Sequence, residues 1–190
     1  YSGMPENPRI SIFHALSQKR VARLIAGKLG KPYEKMNCIV CHGGGGITVG
    51  AHREGKVVDV NNGYEGDGPM TPQRSGGTPN SALVQMCYSG KYTLRDMRLK
   101  LRGKGGLVAY TGTSDVKDLE EFIRTGEKRP GSLICCTREE AKLAEDAMIY
   151  QIAKYIGSMA VVLEGKVDFI ALTGGLMYSK YIPQAISTYV

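Results

Sequence analysis

Residues 37 to 46 read NCIVCHGGGG and carry the ingredients of two unrelated chemistries. Cys38-Ile39-Val40-Cys41-His42 spells C-x-x-C-H, in which two thiols tether a haem and the histidine ligates its iron. Gly43, Gly44, Gly45 and Gly46 follow an apolar run, as when a strand ends in a loop that holds phosphate on backbone N–H groups. Periodicity separates the two. Side chains on a strand alternate faces, so Cys38 and Cys41, an odd step apart, point in opposite directions, and one porphyrin meets only one face. The glycines can take backbone angles closed to other residues, turning successive N–H groups toward one anion; a purely steric corner is the alternative. A second strand-to-glycine corner, Leu172-Thr173-Gly174-Gly175, leads into a predicted helix whose N-terminus favours negative charge. Two such corners favour a nucleotide over a haem.

The elements that must position these corners follow from hydrophobic pattern. Residues 11 to 29 predict a helix capped by Ser11, with Phe13, Leu16, Val21, Leu24, Ile25 and Leu29 on its apolar side. Strands are predicted at 37–42, 46–53 and 56–60, the last two joined by a tight turn at Glu54-Gly55. The glycine- and proline-rich stretch 61–79 predicts a long ordered loop. Short helices are predicted at 80–88, 93–101 and 115–124, with Thr93 and Ser114 as N-caps. Thr137 and Glu140 form a capping box for a helix over 138–163, whose row Ala144, Met148, Ile152, Ile156, Met159 and Leu163 marks a buried stripe. A buried strand at 168–173 and a last helix near 178–189 complete an α/β layered fold with a mixed sheet.

Composition narrows the function. A formal charge of +7 suits an anionic partner, but the basic residues are scattered and no zinc-finger, basic-helix or aromatic-platform pattern accompanies them. Small phosphorylated ligands fit this pattern better than nucleic acid. Five cysteines with one adjacent pair make a poor disulfide framework, and no zinc-ligand spacing is present. No apolar run reaches bilayer length and no leader is visible, so the expectation is a cytoplasmic protein without membrane attachment.

The stretches SIFHALSQKRVAR, CHGGGGITVGAHREGKVVDVNN, EGDGPMTPQRSGG, GKGGLVAYTGTSD, AMIYQIAKYIGSMA and ALTGGLMYSK resemble the acetate kinase family, its butyrate kinases in particular, within the larger sugar kinase, actin and Hsp70 fold. The resemblance runs along nearly the whole chain. It implies a ribonuclease H-like, actin-like ATPase lobe, a mixed sheet flanked by helices. Residues 1–36 would be an N-terminal helical segment and 37–190 the C-terminal lobe without its final strand. It further implies reversible, ATP-dependent and Mg²⁺-dependent phosphorylation of a short-chain fatty acid carboxylate to its acyl phosphate, with a homodimer by analogy.

By position, His14 matches the family histidine that hydrogen-bonds the phosphoryl group in flight, and Arg74 the arginine that stabilises its transition state. His42 with Gly43–Gly46 matches the phosphate-binding hairpin. Asp115 and Lys117 fall where the family contacts nucleotide, and Gly174, Gly175 and Leu176 match its adenosine loop. His52 has no matching role and is expected to be exposed. Family members are roughly twice as long and have two lobes, so this chain is expected to hold a phosphate-binding surface with little kinase activity alone. Gly43 stands where the family has an apolar residue, a change expected to loosen the strand end.

Overall fold

A computed structural model describes residues 1–190. Its centre is a four-stranded sheet of β1 (Asn37–Gly43), β2 (Ile47–Arg53), β3 (Lys56–Val60) and β4 (Phe169–Thr173), in the order β3-β2-β1-β4. The β1/β2 and β2/β3 pairs are antiparallel hairpins, while β4 returns after a long helical excursion to lie parallel to β1. The Glu54-Gly55 turn has both residues at positive φ, as a two-residue hairpin requires.

Alternation along the strands sorts their side chains onto two faces. Ile39 and Cys41 of β1 join Ile47, Val49 and Ala51 of β2 in the main core, whereas Cys38 and Val40 join Ala171 of β4 in a smaller one. The two cysteines therefore lie on opposite sides of the sheet, and burial pushes both thiols up to about 12. Such groups are inert packing, and no macrocycle spans both.

The main core is closed by α6 (Arg138–Val162), capped by Thr137 and Glu140 as the sequence predicts. Its stripe of Ala144, Met148, Ile152, Ile156 and Met159, continued by Leu163, packs on that face, each large side chain contributing about 1.5–3 kcal/mol of transfer free energy. Around it lie α4 (Leu107–Thr111), α5 (Val116–Thr125) and α7 (Ile182–Ser187), with α2 (Asn80–Tyr88) and α3 (Leu94–Leu101) farther out. The predicted Thr93 cap holds, forming a capping box with Asp96; the α5 cap is Asp115 rather than Ser114. The predicted last helix forms over a shorter span, as α7, and is preceded by a 3-10 turn at Gly175–Tyr178. The Ser179 hydroxyl accepts from the Tyr181 and Ile182 amides and breaks the run there.

The opposite face is covered by α1 (Ala15–Lys28), which starts at His14, not Ser11. Its fully buried residues are Gln18, Ala22 and Ala26; of the predicted apolar side Val21 and Ile25 pack half-buried beside them, while Leu16, Leu24 and Leu29 are exposed. Small residues let the helix approach the sheet closely, and Gly50 of β2 supplies the matching gap: a Cβ there would overlap the Gln18 side chain. No helix is long and apolar enough to cross a membrane.

Candidate active site

The β1/β4 pair ends in two glycine corners placed side by side. Because β1 and β4 are parallel, with His42 opposite Thr173, their carboxyl ends coincide, the edge where open α/β sheets bind ligands. Gly174, at φ 92°, backs directly onto the Gly43 backbone. Gly43 itself is buried, pairs with Ile47, and is packed by Leu176 and Met177. These two side chains occupy the space a larger residue at 43 would take.

None of Gly43–Gly46 has a positive φ, so the expectation of special backbone angles fails. Their small size serves close approach instead. The Arg74 guanidinium lies on Gly46 where a Cβ would be, and the Gln73 side chain lies 3.4 Å from the position of a Cβ on Gly45. The Gly44 N–H donates to the Gly46 carbonyl, 3.0 Å, whereas the Gly45 and Gly46 N–H groups find no acceptor in the protein. Amides left this way call for an outside acceptor.

A turn over Thr71–Arg74 delivers the arginine. The Thr71 hydroxyl donates to the Gly45 carbonyl at 2.7 Å and accepts from the Arg74 N–H at 3.0 Å, stapling the turn to the glycine corner. The first amides of α4, a helix the sequence reading misses, donate to the Thr71 and Pro72 carbonyls at 3.0 and 3.1 Å. Arg102 stands beside Arg74, and both guanidinium groups lie over the Tyr64 ring, at 3.9 Å for Arg102 and 6.0 Å for Arg74. Neither arginine has a carboxylate partner. Burial and then Arg102 depress the Arg74 pKa, a sign of converging positive charge.

His14 and His42 stack with ring centroids 4.0 Å apart. Burial first, then His42, then Arg74 lower the His14 pKa, so its ring is neutral near pH 7 and within electrostatic reach of the guanidinium. Burial likewise lowers that of His42, whose Nδ1 lies 2.9 Å from the Ser17 hydroxyl.

Hydrogen-bond arithmetic assigns the His14 tautomer. The Thr48 carbonyl can only accept, and the Gln18 side chain meets it at 3.2 Å, so the Gln18 amino group faces Thr48. That group also donates to the Thr48 hydroxyl at 2.9 Å. The hydroxyl has one remaining partner, His14 Nδ1 at 2.9 Å, and donates to it. His14 therefore carries its hydrogen on Nε2, which has no partner in the protein. On the other side Gln18 Oε1 accepts from His52 Nε2 at 3.1 Å, and His52 Nδ1 accepts from the Tyr33 hydroxyl at 2.7 Å. His52 is fully buried, correcting the expectation of exposure: even-numbered β2 residues face α1, where Gln18 and Tyr33 satisfy the ring.

Two predictions arise from this relay. Thr48→Val keeps the shape but removes the hydrogen given to His14, so imidazole ¹⁵N shifts should report mixed tautomers, with stability reduced by about 1–2 kcal/mol. An unchanged Nε2–H signature would overturn the assignment. For His52, burial and then Lys19 lower the pKa to about 4. The unfolded chain binds this proton near its ordinary value, so stability present above about pH 6.5 is lost on acidification, about 2 kcal/mol by about pH 5. Urea midpoints should show that slope in wild type and a shallower one in His52→Gln.

The remaining predicted residues divide. A cleft of about 960 Å³ lies between α5, the first half of α6 and residues 175–181, and Lys117, Gly175 and Leu176 line it. Leu176 also packs on Gly43, so the cleft adjoins the glycine corner. Asp115 does not line it. Its carboxylate accepts from the Asp118 N–H at 3.1 Å and pairs with Arg129 at 2.9 Å, and these contacts, the backbone one foremost, lower its pKa. Residues the sequence reading missed are Gln18, Thr48, Thr71 and Arg102. The first two were signalled by spacing, Gln18 one turn after His14 and Thr48 opposite His42 in register; Arg102 had no local signal.

The acetokinase family profile matches residues 9–179. A probable butyrate kinase of Elusimicrobium minutum is 59% identical over 186 residues, covering 98% of this chain and 50% of the relative. Butyrate kinase 2 of Clostridium acetobutylicum is 48% identical over 187 residues, covering 98% and 49%. This chain thus spans about half the length of these relatives. Among solved structures, Porphyromonas gingivalis acetate kinase superposes with a TM-score of 0.81 at 28% identity, over 93% of this chain and 42% of that one. A propionate kinase of Francisella tularensis, at 22% identity, gives 0.76 over 98% and 50%, a likeness of fold alone. A paired glycine corner under an arginine, carried on a sheet of this topology and matched along nearly its full length, makes the chain a member of the acetokinase family.

Proposed function

We propose that the chain forms the nucleotide- and phosphoryl-binding part of a short-chain carboxylate kinase, a butyrate kinase-like enzyme that converts carboxylate and MgATP to acyl phosphate and MgADP. The observation that carries this is the Arg74 guanidinium seated on Gly46 next to two unpaired amides and the neutral His14–His42 stack. The cleft beside it, lined by Lys117, Gly175 and Leu176, accommodates the nucleoside.

The chemistry needs alignment more than activation. The substrate carboxylate is already a nucleophile; its oxygen forms the new bond to the γ-phosphorus as the bond to the ADP oxygen breaks, and the equatorial oxygens carry the charge. Arg74 offers a planar fork of donors to two such oxygens. His14, held as the Nε2–H tautomer, gives a directed hydrogen bond without a second cation, and the Gly45 and Gly46 amides hold the neighbouring phosphate. Preorganised donors of this kind contribute on the order of 3–4 kcal/mol each to transition-state stabilisation. No group of three His, Cys, Asp or Glu side chains could cage a metal ion here, and Mg²⁺ enters as part of the MgATP substrate, held by its phosphates.

The test has two arms. Calorimetry with MgATP on this chain should show saturable binding. A chimaera joining it to the half of the Elusimicrobium minutum relative that it does not cover should form butyryl phosphate, trapped with hydroxylamine. Binding without turnover favours a nucleotide-binding module, and the failure of both arms overturns the kinase reading.

A further inference from the structure

Residues 61–79 lie outside every helix and strand, so the amides of this loop need acceptors from elsewhere in the chain. Two acceptors come from α6. Gln151 Oε1 accepts from the Met70 N–H at 2.8 Å, and the Tyr155 hydroxyl accepts from the Gly68 N–H at 3.1 Å. The two side chains stand one turn apart, on the flank of the helix beside its apolar stripe. Met70 is buried in the main core, and its N–H has no other acceptor. The Gln151 amino group makes no hydrogen bond, so accepting from Met70 is the one polar contact of this side chain.

These contacts fix the neck of the loop that delivers Arg74. The Gly77 N–H donates to the Gly68 carbonyl at 3.0 Å, joining the two sides of the neck. Gly76 packs on it so closely that a Cβ would fall 2.5 Å from the Met70 nitrogen. From there the chain runs through Thr71, stapled to the Gly45 carbonyl, to Arg74 on Gly46. The arginine thus hangs between two anchors, a core helix and the glycine corner. Thr71 holds the turn against the corner, while Gln151 and Tyr155 hold the base from which the turn projects.

We propose that Gln151 and Tyr155 are positioning residues for phosphoryl transfer, which set where Arg74 can reach by fixing the neck of its loop to α6. This rests on the phosphoryl-transfer reading above and adds to it two residues that touch no substrate. A forked cation meets two equatorial oxygens from one place only, and a misplacement of about 1 Å can cost about a hundredfold in rate. A side chain that merely held the fold together would change stability and leave the turnover of each folded molecule alone. One that acts through Arg74 changes turnover and loses that effect once Arg74 is gone.

Two measurements test this. The first uses the 190-residue chain with ¹⁵N-labelled arginine, in which the Arg74 Nε–H signal is assigned by its loss in Arg74→Ala. Wild type should give one narrow signal that shifts on addition of inorganic tripolyphosphate. Gln151→Met removes the acceptor at similar volume and should broaden or split the signal and shrink that shift. Gln151→Glu still accepts from Met70 and should restore both. Tyr155→Phe removes the other hold and should act like Gln151→Met, which keeps the test open if Gln151→Met fails to fold by circular dichroism. An Arg74 signal the same in wild type, Gln151→Met and Tyr155→Phe, with and without tripolyphosphate, overturns the proposal.

The second is a double-mutant cycle in the full-length chimaera. Gln151→Met should lower kcat about tenfold with the KM for MgATP changed by less than about twofold, and should add less than about twofold to the loss in Arg74→Ala. A tenfold loss that persists in the Arg74→Ala background, or none in either, overturns a role exerted through Arg74. If the wild-type chimaera forms no acyl phosphate, the kinase reading falls, and the arginine signal alone decides whether α6 fixes Arg74.

Discussion

Arg74→Ala lowers acyl phosphate formation by at least about a hundredfold in the full-length chimaera, with MgATP affinity changed by less than about threefold. The separation of the two effects follows from what the side chain touches. Its guanidinium has no carboxylate partner, so removing it breaks no ion pair, and the change in stability should stay near the surface range of about 0.5 kcal/mol. The backbone of the 71–74 turn remains stapled to Gly45 through Thr71, so the glycine corner keeps its place. What is lost is a forked cation aimed at the transferring group, an interaction stronger in the transition state than in the bound substrate. Arg74→Lys keeps the charge but not the fork and should fall between wild type and alanine. Near-wild-type turnover in Arg74→Ala would remove this residue from the mechanism, whereas a matched rise in KM with kcat unchanged would make it a ground-state contact.

Gly174→Ala destabilises the fold by about 2–5 kcal/mol, read as a lower urea midpoint at unchanged m-value. Two causes add. A φ of 92° is strained for any residue with a Cβ, and the new methyl would meet the Gly43 carbonyl carbon at 2.9 Å and its nitrogen at 3.0 Å. These are backbone atoms in a paired strand, so neither can rotate away. Gly165→Ala is the control: φ is 72° there but nothing lies within 4 Å, so only the backbone strain of about 1–2 kcal/mol applies. The difference between the variants measures the close approach of β1 and β4. Equal losses would mean that the two glycine corners do not depend on that contact.

Several features were legible in sequence because they depend on neighbours along the chain. The capping box of Thr137 and Glu140, the aliphatic stripe of α6 and the Glu54-Gly55 turn are local patterns, and each formed as read. Strand parity alone put Cys38 and Cys41 on opposite faces and so disposed of the haem. The failures have one character. Leu16, Leu24 and Leu29 look like the buried side of α1, yet Gln18, Ala22 and Ala26 are buried, because what matters is which stripe fits the sheet beneath. His52 looked like a solvated histidine until Tyr33 and Gln18 came within hydrogen-bond range. The helix at Leu107–Thr111 is too short for a periodic signal and forms where its amides meet the 71–74 turn.

By itself the sequence determined the four strands and the long helix, the opposite faces of Cys38 and Cys41, the two glycine corners and the family resemblance, since all of these are written in residue type and spacing. The tertiary structure alone decided what those residues do to one another: that the corners touch, that Arg74 rests on Gly46, that a relay from Tyr33 fixes the hydrogen on His14, and that Asp115 caps a helix instead of facing the cleft. The physical reason is range. Propensity, capping and alternation act over a few residues, whereas burial, tautomer and charge convergence are set by groups that meet only when distant segments pack.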